Sequence, residues 1–459
     1  MSDHPEPHED PFAGMPEELR RMMEQLGGSG LFAQIQSMLT GAGSGPVNWD
    51  LARQAAIQVA AEGDRAATDE ERERATEALR IAEHWLDDSS LPAPPDGGRL
   101  LVGSRQEWAN AAIDGMRPLV EPVARASTKA MGDLAQDQLQ DEDMTRQLDA
   151  MGLGGLLGGL GGMDLSSMLQ PMGAMLTGMQ AGQVIGQLAR QLLGQYELGL
   201  PTAGRATAVT IPVNVEEAFG DWDLDPMEVA LALALHEAAH RRLYHAVPWL
   251  EAHLHGLIAQ FANGTQVDAE KLQELSRGMM GIDPSDPQAM QDALQRAGDF
   301  RIEPTPEQRR VLERIQGVLA LVSAWARSAV ARVAAGRLPG LDRIDEVLRR
   351  RRATKGSGEE LLAQLLGLDL RPEDETIGER FVAAVEEAHG PEGLQRALAH
   401  PENLPDRDEL VDPDSWLQRM AAGEDVPDDA SSLFDGLGDA PVERSADERR
   451  AEREDDDEA

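Results

Sequence analysis

The sequence predicts a mainly helical protein, and three observations carry that expectation. Only 2 Tyr and 7 Phe accompany 7 Trp in 459 residues, so the core must come from Leu, Ala, Val and Met, which favour helices over sheets. Apolar residues recur at three- and four-residue spacing through most of the chain. Residues rich in Thr, Val and Ile gather in one short run, 205–215. The length allows a large core or two to three domains. With 82 Asp+Glu against 42 Lys+Arg, the net charge of −40 argues against a protein that tracks nucleic-acid phosphates. Without cysteine, disulfides, iron–sulfur clusters, Cys-ligated zinc and Cys nucleophiles are excluded.

The elements follow in order. Met1 to Pro16 is acidic and Pro-rich, with no basic or apolar leader pattern, so a cytoplasmic protein is expected. Residues 1–14 read as a disordered N-terminus and 15–146 as an N-terminal helical region. Within it, 15–36 look like short helices broken by Gly-Gly. Leu51, Ala55 and Val59 mark an amphipathic helix after Asn48, and Thr68 with Glu71 forms a capping box for a helix over 68–86. The Pro/Gly stretch LPAPPDGG separates these from a further helical candidate beginning at GSRQEW. Seven glycines between Gly152 and Gly162 make 147–163 a Gly-rich linker, and no phosphate-cradling motif is present. The uncharged run between Asp164 and Arg190 carries too many Gln, Ser and Gly for a bilayer span and reads as a Met-rich helical hairpin or partner surface. Pro212 makes 205–215 an edge strand or a loop. Residues 401–459 hold 21 acidic and 6 basic side chains, and 421–459 read as a disordered acidic tail.

Residues 225–255 carry the chemistry. Asp225 can cap, Pro226 suits a first helical position, and an apolar helix follows. Into it the chain sets His236, Glu237 and His240, and five of the ten histidines fall between 236 and 255. Positions i and i+4 share a helix face, so both imidazoles can aim at one zinc ion, with Glu237 beside them as general base toward an activated water. HExxH is the pattern of a zinc peptidase. A chance motif would sit on a solvated helix, whereas apolar flanks make these polar groups costly unless paired or ligated. The third ligand is unknown. The extended HExxHxxGxxH pattern fails at Leu243 and Ala246, and His245, Glu251, His253 and His255 are weak candidates. Tyr244 and Trp249 can line a cleft, although Trp249 fits core packing better. The Arg349–Arg352 run reads as a solvated helix end or a partner for the excess acid, and His389 and His400 as surface histidines.

The block LHEAAHRRLYHAVPWLEAHL resembles the signature of an actinobacterial family of zincin-like zinc-dependent metallopeptidases, one branch of which is named after coenzyme F420 biosynthesis. LERIQGVLALVSAWARSAV is similar to that family's second long helix, and LPGLDRIDEVLRRRRATKGSGEELLAQLLGLDLRP and HPENLPDRDELVDPDSWLQR to later blocks, so the likeness spans roughly 12–420. The resemblance implies a zincin-like catalytic domain over 164–420, a small β element near the active helix with 205–215 as its strand, Zn2+ as cofactor, and a peptide or protein substrate. One departure stands out. Relatives carry Glu-Gly-aromatic on the second long helix, and the resemblance makes that glutamate the third ligand. The positions here are Ser323, Ala324 and Trp325. Glu313 lies almost three turns earlier on the same helix, too far to substitute. Two readings stand: a zinc peptidase with a third ligand elsewhere, or a catalytically weakened zincin-like binding or scaffold protein.

Overall fold

The computed structural model describes residues 45–89, 91–95, 98–140, 165–204, 207–264, 304–353, 361–363, 366 and 373–424. The expected short helices of 15–36, the linker of 147–163, the N-terminus of 1–14 and all but the first residues of the acidic tail lie outside them. The architecture is mainly helical. In chain order it comprises α1 (Trp49–Ala60), α2 (Asp69–Leu86), β1 (Arg99–Val102), α3 (Arg105–Gln140), α4 (Leu165–Gln191), β2 (Thr207–Thr210), α5 (Pro212–Phe219), α6 (Pro226–Ala246), α7 (Leu250–Asn263), α8 (Pro306–Ala334), α9 (Leu341–Ala353) and α10 (Glu373–His389), then three short helices ending at Glu424.

Local chemistry sets the helix starts. The Asn48 side chain accepts the Leu51 N–H, and Thr68 with Glu71 forms the expected capping box of α2. Asp225 accepts from the Met227 and Glu228 amides, and Pro226 fills the first position of α6. Thr305 and Gln308 cap α8 in the same way.

Three features depart from the sequence reading. Among the described residues, the strand expected over 205–215 is Thr207–Thr210, and Pro212 instead opens α5, where its missing N–H costs nothing. β2 pairs in parallel with β1, from Arg99 opposite Thr207 to Val102 opposite Thr210. β1 follows a Pro/Gly stretch that reads as a mere separator. The Met-rich run is one helix, α4, rather than a hairpin, and Pro171 lies within it. Its glycines serve close packing. A Cβ on Gly178 or Gly182 would collide with the Asn48 or Ala52 carbonyl, and one on Gly186 would stand 2.6 Å from Val59 Cβ. α1 therefore lies directly on the α4 backbone.

Helix α6 runs through the middle of the molecule, packed against α2, α8, α9 and β2. Its Arg241 and Arg242 are buried at 1% and 2% exposure, yet both are held by α2. Arg242 donates to Glu83, Asp87 and the Leu86 and Leu91 carbonyls, and Arg241 to the other oxygen of Glu83. Helix α8 is long and apolar enough to cross a bilayer by length and composition alone, but most of its apolar window is buried, as in a core helix. Replacing Gly182 with Leu is expected to cost about 1–3 kcal/mol of stability, through forced separation of α1 from α4. Chemical denaturation checks it, and an unchanged midpoint contradicts the contact.

Candidate active site

The HExxH segment occupies the third and fourth turns of α6, where the helix meets β2 and a single 3-10 turn at Tyr196–Leu198. His236 is 23% exposed, whereas Glu237 and His240 are each 7% exposed. A cavity of about 80 Å³ opens beside them, lined also by Ser323 and Arg327 of α8, Leu348 of α9 and Tyr196. That is far smaller than the roughly 300–1,000 Å³ of ordinary ligand pockets.

The His240 Nδ1 lies 2.8 Å from the His236 carbonyl. A carbonyl can only accept, so Nδ1 carries a proton, and in the neutral ring the lone pair is then on Nε2. The ring stacks on Tyr196 at 5.5 Å, and Tyr196 stacks on Tyr244 at 5.8 Å. Tyr244 is buried and donates to the Gly199 carbonyl, so it belongs to the core rather than to a cleft. The His236 Nε2 is a buried atom without a hydrogen bond, and Asp345 Oδ1 of α9 is 3.7 Å away. That distance suits an ion pair and is too long for a hydrogen bond.

Glu237 is differently engaged. Its Oε1 accepts the Tyr196 N–H at 3.0 Å and its Oε2 the Val209 N–H at 2.8 Å. Gly194 packs directly on the carboxylate, and a Cβ there would collide with Oε1. Burial pushes the Glu237 carboxyl up to about 7, against the pull of the Tyr196, Val209 and Gln195 amides, and nearby Glu197 adds to the rise.

The structure brings His236, Glu237, His240 and Ser323 to one cavity. The other third-ligand candidates do not line it. His245 and Glu313 are exposed, His255 is on α7, and His253, also on α7, sits edge-on to Trp249 at 5.7 Å. The arginine run finds acidic partners as expected: Arg349 and Arg350 pair with Glu346, and Arg351 with Glu197. His389 and His400 are exposed. Two imidazoles suit zinc in kind, and the buried Nε2 of His236, which has no hydrogen bond, points the same way. Among the described residues, however, no three His, Asp or Glu side chains already stand around one metal position. Sequence reasoning missed Asp345, which the spacing of a charge-rich helix does not single out. It also missed the backbone amides on Glu237, which come from residues 28 and 41 positions away.

Comparisons with known proteins bear on the family and the fold. A family profile described as zincin-like metallopeptidase matches residues 47–417. A crystal structure from Chloroflexus aurantiacus, described as a novel fold and only provisionally assigned as a hydrolase, is 24% identical. It covers 82% of this chain and 99% of its own, with a TM-score of 0.54, which shows a shared fold. No curated protein matches the chain.

Two outcomes follow from the Glu237 environment. Replacing Glu237 with Ala leaves its amide donors unpaired in a buried place and is expected to cost about 2–4 kcal/mol, read by chemical denaturation. A carboxyl raised in the folded state binds its proton more tightly there than in the unfolded chain. Its contribution to stability is thus full below about 4.5 and lost as pH rises through about 7. Glu237→Gln is expected to flatten that decline in chelator-treated protein. A decline as steep as in wild type would contradict the assignment.

Proposed function

This chain belongs to the zincin-like metallopeptidase family, and we propose that it keeps the family's HExxH helix as a zinc-binding scaffold in which hydrolysis is weakened. One observation carries the reading. Both oxygens of Glu237, the residue placed to act as general base, accept backbone amides of Tyr196 and Val209 and hold β2 and the 3-10 turn against α6. A carboxylate committed to two amides and packed under Gly194 is poorly placed to collect a proton from water. The small cavity supports it further, as does Ser323 where the family resemblance implies an acidic ligand. His236 and His240 are the metal-holding pair in this reading, the ligand is a peptide or protein, and the setting is the cytoplasm.

A peptidase is the second reading, favoured by the rise of the Glu237 carboxyl to about 7, where a general base works well near neutral pH. Zinc at the imidazole pair would supply Lewis-acid polarisation of a carbonyl and a more acidic water. The two readings part on zinc-loaded wild type and Glu237→Gln assayed against a peptide library. A working general base contributes about 10²–10⁴ in rate. The scaffold reading expects wild-type turnover within about tenfold of the variant, or none. A loss beyond about a hundredfold in a folded, zinc-retaining variant overturns it in favour of the peptidase.

A further inference from the structure

We propose that the chain carries a second ligand site, outside the HExxH cavity, for a small aromatic molecule bearing phosphate, of the nucleoside diphosphate type. The site depends on neither zinc nor hydrolysis. It draws two of its side chains, Arg350 and Arg351, from the arginine run that the HExxH cavity leaves unused.

The first observation is space. A cavity of about 390 Å³ is lined by the end of α4, by α5 with the turn after it, and by the end of α9. It falls within the roughly 300–1,000 Å³ of ordinary small-molecule sites, which the HExxH cavity does not reach. The two cavities share no lining residue. Buried Asn214 holds the walls together. Its Nδ2 donates to the Ala189 and Leu192 carbonyls at the end of α4, and its Oδ1 accepts from Arg105 Nε at 2.6 Å.

The second is charge. Arg190, Arg350 and Arg351 line this cavity in a chain of net charge −40. The acid among the lining residues, Glu217, is answered by Arg105, whose Nη2 lies 2.6 Å from it and whose side chain is buried. The arginines are themselves held in place. Arg190 reaches Glu62 through Nη1, Arg351 reaches Glu197 through Nη1, and Arg350 reaches Glu346 through Nε. A guanidinium carries five N–H donors in a planar fork that matches phosphate, so a pair made through one nitrogen does not exhaust it. Arginines already ordered lose less freedom when a ligand arrives. Their acidic partners weaken the long-range field, so phosphate is recognised at contact range.

The third is Trp222, which lines the same cavity and is 38% exposed. Among the described residues it is the only aromatic side chain of the large exposed apolar ones. An indole left at the surface of a cavity has a face to offer a flat ring, and bases stack on such faces whatever their identity. The turn that carries it is pinned to α9, because Arg343 donates to the Asp223 carbonyl at 2.9 Å. The Arg350 guanidinium lies 5.6 Å from the indole centroid, which ties the aromatic wall to the cationic one. Ring and phosphate thus have neighbouring places in one cavity.

The test is calorimetric titration of the full chain, freed of metal by chelation, with ADP, pyrophosphate and adenosine as separate probes. Arg190→Gln removes one cationic wall and Trp222→Leu the aromatic one. Arg349→Gln, exposed in the same arginine run but outside the cavity, controls for loss of charge. Circular dichroism confirms folding of each. Wild type and Arg349→Gln are expected to bind about one ADP per chain, with pyrophosphate and adenosine each at least about tenfold weaker. Arg190→Gln and Trp222→Leu are expected to bind ADP at least about tenfold more weakly than wild type. No ADP bound by wild type, or wild-type affinity in both cavity variants, would overturn the site. Pyrophosphate bound as tightly as ADP would overturn its assignment to an aromatic ligand.

Discussion

A buried carboxylate that faces backbone amides is the constraint on which this structure turns. Glu237 lies in the centre of α6, and its two oxygens take the amides of a 3-10 turn and of a strand. A buried amide left unpaired costs about 1–3 kcal/mol. The carboxylate in turn has given up water, which raises its pKa. Helix, turn and sheet therefore share one polar knot in an apolar surround. His236 and His240 flank that knot one residue before and three after it, so their positions are set by the same contact.

Around the knot, the rest of the fold acts as a clamp on α6. Arg241 and Arg242 fix its far side to α2 through Glu83 and Asp87, in a site where unpaired guanidinium groups would be prohibitive. Helix α8 closes another side and presents Ser323 and Arg327 to the cavity. Helix α9 brings Asp345. The result is a polar site with little free volume. Family membership and this geometry thus pull on different features: the helix with its two imidazoles is that of a hydrolase family, while the glutamate is built into the scaffold.

Much of the architecture was legible in the sequence because it is written locally. The cap at Asp225, Pro226 and the apolar run defined α6, and Thr68 with Glu71 defined the start of α2. HExxH placed three site residues by helical spacing alone. What was not legible depends on distant partners. Four residues of β1 have no pattern of their own and become a strand only by pairing with β2 across α3 and α4. Pro212 read as the mark of an edge strand or a loop because the helix it begins is short. The glycines of α4 counted in sequence only against a bilayer span, and their packing role shows once α1 lies on them. Asp345 is one acid in a helix full of charge, and only the meeting of α9 with α6 distinguishes it.

The most direct measurement is a high-resolution crystal structure of the zinc-loaded protein, read at Glu237. The account predicts that its oxygens still accept the Tyr196 and Val209 amides at about 3 Å with the metal in place. A Glu237 side chain swung away from those amides and toward the metal would contradict it, and would return the residue to the role of catalytic base.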